Sequence, residues 1–252
     1  MHNHLKTESS TRDRILAEAK KLIIAEGLCS FRLSQLPQLS QCSPKTFYNH
    51  FKSREDIVAA LYIVAINDSM EKQDQLMARK DLSFKEKVVY KHMYDVVKCW
   101  SAKESDICVN FLGANPHIYG VSSPEFEGNM DVIFIEIKNK VQELWKQAIK
   151  SGELLSSKKE IVDCIFLIRT IERGSIVIGQ NKFVRQHGHD NSLETFFDLV
   201  CFAANTLKWK DEQQLSFTRM LEVVTPYIES ASGSTFKHCK LNYETLNDPL
   251  EL

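Results

Sequence analysis

The segment Ser43-Pro-Lys-Thr-Phe-Tyr-Asn-His-Phe-Lys-Ser-Arg-Glu-Asp56 constrains the fold more than any other part of this chain. It reads as two helix starts separated by a turn. Ser43 suits an N-cap, and Pro44 suits the first helical position, where a missing N–H costs nothing. Ser53 suits a second N-cap, with Glu55 and Asp56 in the first turn, where negative charge complements the helix dipole. The short helix between these caps holds two apolar anchors, Phe47 and Phe51. Lys45, Thr46, Tyr48, Asn49, His50 and Lys52 surround them. Such a helix is pinned by one side and leaves a hydrogen-bonding, cationic face free, as a helix entering a DNA groove requires.

Upstream, Ile15, Leu16, Ala19, Leu22 and Ile23 recur at helical spacing over residues 11–26. Gly27 follows where a left-handed C-terminal cap is wanted. A weaker helix is expected over 33–40 and a long one from Arg54 to about Arg79. Further helices are expected near 84–101, 105–112, 123–150, 158–180, 192–209 and 213–230, with Ser192 as an N-cap. No repeat or sustained period-2 stretch interrupts this pattern, so the fold class is all-α. The last twenty or so residues, opened by Ser230-Ala-Ser-Gly-Ser234, read as a frayed tail.

Charge separates the two ends. Residues 1–60 carry 9 Lys+Arg against 6 Asp+Glu, while the remainder carries 23 against 27. A basic end on an acidic remainder fits a DNA-binding end joined to a part with another task. The 7 cysteines are widely spaced, with no C-x-x-C pair, as reduced and mostly buried thiols would be. The first residues are polar and no apolar run reaches the ~18 residues of a membrane span, so a cytoplasmic location is expected.

Residues Arg14-Ile-Leu16, Ala19, Leu22, Ala25-Glu-Gly27, Leu33, Leu36, Cys42-Ser43 and Thr46-Phe-Tyr-Asn-His-Phe-Lys-Ser-Arg-Glu-Asp-Ile57 resemble the TetR family of bacterial transcriptional regulators. The resemblance covers about the first 65 residues. It implies a three-helix helix-turn-helix DNA-binding domain over 1–60, a helical ligand-binding and dimerisation domain over 61–232, and a tail over 233–252. Leu33–Ser40 would be the positioning helix and Ser43–Phe51 the recognition helix. Lys45, Thr46 and Asn49 would face base edges or nearby phosphates, and Tyr48, His50 and Lys52 would hold backbone phosphates. Arg32 and Ser43 complete the expected DNA-binding set. Two positions depart from the family pattern. Pro37 falls inside the positioning helix, where an interior proline costs about 3 kcal/mol. Gln41 stands at a turn position that favours glycine. A shortened or bent second helix is expected.

In the body, Ile161–Ile168 and Leu193–Leu207 are apolar almost all round, so they need cover on more than one side. The resemblance implies that these helices build a two-fold interface, making the chain a homodimer on a palindromic operator. It also implies a small-molecule effector, for which Tyr94, Phe111, Phe134, Arg169 and Arg173 are the candidate contacts. An ion pair of these arginines with Glu172, within or between subunits, is the competing use.

No cofactor is expected. Gly174–Gly179 has P-loop glycine spacing but lacks the Lys-Ser/Thr that would hold phosphate, and His187-x-His189 has no supporting metal ligand. Nothing resembles a nucleophile or a paired-carboxylate centre, so an enzyme is not expected. The expected function is a repressor released from its operator by a ligand. The alternative is a DNA-bound helical adaptor whose output is a protein contact.

Overall fold

The computed structural model describes residues 2–28, 30–101, 122–180 and 192–232. Among them are nine α-helices and one short 3-10 helix. They are α1 (His2–Glu26), the 3-10 turn Leu33–Gln35, α2 (Leu36–Leu39), α3 (Pro44–His50), α4 (Arg54–Met77), α5 (Phe84–Ser101), α6 (Pro124–Lys150), α7 (Lys158–Gln180), α8 (Leu193–Ala204) and α9 (Phe217–Ser232). The fold class is all-α, as the periodicity implies, and the one β-like feature described is an isolated antiparallel bridge between Leu154 and Trp209. No helix among the described residues is long and apolar enough to cross a membrane.

By packing, the chain forms two compact units. One comprises the described residues of 1–71 and 101–146, the other those of 72–100 and 147–252. The boundary expected at residue 60 rests on charge and resemblance, whereas this division follows the cores. Side chains early in α6 help fill the core of the first unit, so that unit extends beyond the three N-terminal helices.

The core of the first unit is built from Ile15, Leu16, Ala19 and Ile23 of α1, together with Phe31, Leu36, Phe47, Phe51 and Ile57. Phe126 and Met130 of α6 join the same cluster. In α1 the buried positions follow the i, i+1, i+4, i+8 pattern of one helical face. The helix closes at Gly27, whose φ of 85° and N–H bond to the Ile23 carbonyl at 2.9 Å make the left-handed cap.

In the second unit α7 and α8 pack along each other. Phe196, Phe197, Val200 and Ala203 of α8 are buried, as are Ile161, Cys164 and Ile168 of α7. Ser192 caps α8 by accepting the Thr195 N–H at 3.0 Å. The helix expected over 192–209 stops earlier, at Ala204. Thr206 Oγ1 donates to the Ala203 carbonyl at 2.7 Å and Trp209 Nε1 to the Ala204 carbonyl at 2.9 Å. These side chains satisfy the last carbonyls. Backbone bonds from Leu155 to Lys208 and from Lys210 to Glu153 then carry the chain out as an extended strap. The helix expected near 105–112 lies outside the described residues, as does the tail over 233–252.

Candidate nucleic-acid interface

Pro37 shapes the approach to the turn. The stretch expected as one positioning helix divides into a 3-10 turn and a four-residue α2 that starts at Leu36, with Pro37 in its first turn. There the missing N–H has no intrahelical partner to lose, so most of the interior penalty is avoided. Pro37 is itself buried. Its carbonyl accepts the Cys42 N–H at 2.9 Å, which helps close the turn. Gln41 takes φ 54°, the left-handed conformation expected where glycine is usual. Ser40, almost wholly buried, donates its hydroxyl to the Leu36 carbonyl at 2.6 Å. Arg14 of α1 donates to the Ser40 carbonyl at 3.4 Å.

Helix α3 is capped as its sequence suggests. Ser43 Oγ accepts the Thr46 N–H at 3.1 Å and lies 2.9 Å from Thr46 Oγ1. Both hydroxyls are therefore engaged in the cap, which sets the start of the helix. Phe47 and Phe51 are fully buried and stand 6.3 Å apart between ring centroids. Above them Lys45, Tyr48, Asn49 and Lys52 are exposed, while Thr46 and His50 are half-buried. Tyr48 meets the edge of Phe47 with centroids 5.1 Å apart, which orients its ring while leaving its surface open. Lys52 Nζ donates to the Tyr48 carbonyl at 2.7 Å, near the C-terminal end of α3 where a cation is favoured. Arg32 is exposed just before the 3-10 turn. The arrangement thus presents a hydrogen-bonding and cationic face on a seven-residue helix held from beneath by two rings.

Three further sets of contacts hold this face, of which the sequence reading gave only Asp56, as a first-turn acid. The Arg12 guanidinium lies 5.7 Å from the Phe51 ring centroid, and that of Arg54 lies 5.3 Å from the Phe31 centroid. The third is Asp56, a buried acid whose N–H bonds to Ser53 Oγ at 3.1 Å. Its Oδ2 accepts the Lys52 N–H at 2.8 Å and its Oδ1 accepts the Ser123 N–H at 2.8 Å. Burial pushes this carboxyl up, but the bonds from Ser123, Lys52 and Ser53 outweigh it and leave the group below its ordinary 3.8. The S-x-x-D capping-box spacing signals half of this arrangement. The Ser123 bond spans 67 residues of sequence and has no local signal.

The proposed effector contacts are more scattered. Tyr94 is fully buried in α5, whereas Arg169 and Arg173 of α7 are exposed. Phe134 is 43% exposed and belongs to the first unit. Phe111 lies outside the described residues. Glu172, between the two arginines in sequence, is buried against His92. No group of three or more potential metal ligands occurs among the described residues.

A capped three-helix unit with a helix-turn-helix, followed by a helical body, defines the class of this fold. Comparison with solved structures makes it particular. A TetR-family transcriptional regulator from Agrobacterium tumefaciens matches over 80% of this chain and 99% of its own, with 18% identity and a TM-score of 0.55. The reduced form of NemR from E. coli matches over 79% and 97%, with 12% identity and a TM-score of 0.53. FadR from Bacillus subtilis, solved in complex with stearoyl-CoA, matches over 77% and 98%, with 16% identity and a TM-score of 0.51. The chain has the TetR-type fold. No family model and no curated protein matches it in sequence.

Proposed function

We propose that this chain is a DNA-binding transcriptional regulator working in the cytoplasm as a homodimeric repressor. The observation that carries this reading is the exposed polar and cationic face of α3, set on the buried Phe47 and Phe51. Lys45, Asn49 and Thr46 would approach base edges, with Tyr48, His50, Lys52 and Arg32 on phosphates. Ser43 contributes by fixing the start of the helix. Phosphate contacts would supply much of the affinity, which should therefore fall as salt rises.

Dimerisation through α7 and α8 is supported by an apolar face that the single chain leaves open. Phe166 is 74% and Phe202 68% exposed, with Val162 and Leu199 exposed one turn away from them on the same helices. Large exposed apolar side chains grouped in this way mark interaction surfaces. A two-fold dimer would place two copies of α3 about 34 Å apart, suiting a palindromic operator.

A small-molecule effector would favour a conformer with the two recognition helices wrongly spaced, releasing the operator by population shift. Tyr94, Arg169 and Arg173 remain its proposed contacts in the second unit. Arg169 and Arg173 continue the stripe of Val162 and Phe166 at helical spacing. Their exposure also suits ion pairing at the rim of a dimer. Gel-shift titration against the chain's own promoter region tests the central reading: Lys45→Ala combined with Tyr48→Ala should abolish the shifted band. Unchanged binding by that double variant would remove α3 as the recognition helix.

A further inference from the structure

The open face of the second unit is charged at one end, and the two helices that build it carry opposite signs. On α7, the exposed Arg169 and Arg173 follow Phe166 at i+3 and i+7. On α8, the exposed Asp198 and Glu194 precede Phe202 at i−4 and i−8. These spacings keep each charged pair on the stripe of its own exposed ring. None of the four charged side chains forms an ion pair with another described residue.

Heights along the face follow from the contacts between helices. Cys164 Sγ donates to the Ala203 carbonyl at 3.3 Å, joining the early part of α7 to the end of α8. At the other end, Trp100 of α5 donates to the Ser175 carbonyl of α7 at 3.1 Å, and its ring meets Phe196 of α8 with centroids 5.5 Å apart. The two helices therefore run antiparallel. Phe166 stands level with Phe202, and the arginines of α7 stand level with the acids of α8.

A two-fold contact through this face can be made in two ways. With the axis across the helices, α7 lies on the α7 of the second copy in the opposite sense. The arginines then cover that copy's apolar end, as do the acids of α8, and charges lose water without a partner. With the axis along the helices, α7 lies on the second copy's α8 with heights preserved. Rings meet rings, and arginines meet acids. An isologous contact repeats every pairing, so one complementary set serves twice.

We propose that this face is a self-recognition surface whose occupant is a second copy of the chain, seated with the two-fold axis along α7 and α8 so that Arg169 and Arg173 pair with Asp198 and Glu194 of that copy. This rests on the dimer reading above and adds its register. It assigns the two arginines to the second copy rather than to an effector. Exposed ion pairs contribute little affinity each, whereas like charges brought together are costly. The charges therefore act as a selector, rejecting the crossed arrangement and any chain that lacks the complementary acids.

Two charge-reversed forms of the full chain test this, one with Arg169→Glu and Arg173→Glu, the other with Glu194→Lys and Asp198→Lys. Each alone faces like charges and should self-associate at least about tenfold more weakly than the natural chain in sedimentation equilibrium. An equimolar mixture restores both sets of opposite charges and should return a one-to-one heterodimer. Variants that each dimerise like the natural chain overturn the proposal, as does a mixture that stays monomeric. If a double reversal does not fold, the single reversals Arg173→Glu and Asp198→Lys, alone and mixed, decide by the same outcomes. A natural chain that is monomeric, or one still dimeric with Phe166→Glu and Phe202→Glu, would instead remove the α7–α8 dimer reading itself, and this pairing with it.

Discussion

The Asp56 carboxylate holds the Ser123 amide at 2.8 Å while its other oxygen holds the Lys52 amide at the same distance. One buried acid therefore ties the exit of α3 to the residues that open α6. The Phe51 and Phe126 rings, stacked with centroids 6.0 Å apart, repeat the tie in apolar form. A shift at the start of α6 must move these groups together, because a charged acceptor and a buried ring stack tolerate little slack.

Asp56→Ala should therefore destabilise the chain by about 2 kcal/mol at neutral pH, since two charge-assisted bonds to part-buried backbone amides are lost. The folded-state carboxyl lies below its ordinary 3.8, so its contribution is present above that value and lost as pH falls through the folded one. Urea denaturation at pH 7 and at progressively lower pH should show the gap between natural chain and variant closing toward acid. A gap that does not change with pH would mean that the charge contributes nothing.

Gln41 sits at φ 54°, where a side chain is strained and glycine is not. Gln41→Gly should raise stability by about 0.5–1 kcal/mol despite the larger entropy of glycine in the unfolded chain. The denaturation midpoint should move up with unchanged slope. A lower midpoint would show that the Gln41 side chain contributes more than its backbone costs.

On the proposed dimer reading, Phe166→Glu or Phe202→Glu should leave the protein monomeric, because each places a charge on the open face of α7 and α8. Light scattering coupled to size exclusion should then report a mass near the 29.0 kDa of one chain, with helical circular dichroism retained. Persistence of a dimer in both variants would exclude this face as the interface.

Burial pushes the thiols of Cys99 and Cys201 up to about 12 and that of Cys164 up to about 11. Only the thiolate reacts, so these three should label with iodoacetamide at least about tenfold more slowly than the half-exposed Cys42 at pH 8. Mass spectrometry of timed digests measures this directly. Equal rates would indicate that the second unit opens readily.

How much was legible depended on the range of the interaction. Ser43, Pro44 and Ser53 mark their helix starts because a cap acts within three or four residues. Gly27 marks a left-handed cap for the same local reason, whereas at Gln41 the left-handed position was legible only through the family resemblance. The end of α8 was misread because the apolar pattern continues through Leu207, while the carbonyls that stop the helix are taken by Thr206 and Trp209. Pro37 signalled a disturbed helix, but only the packing showed that α2 begins late and keeps Pro37 in its first turn.

The sequence alone determined the helices, their caps and the polar face of α3, since these follow from spacing along one chain. Tertiary structure decided which acids would be buried and against what. Asp56 and Ser123 are 67 residues apart, and His92 and Glu172 are 80 apart. Their meeting depends on how helices pack, and no periodicity records which side chain waits on the facing helix.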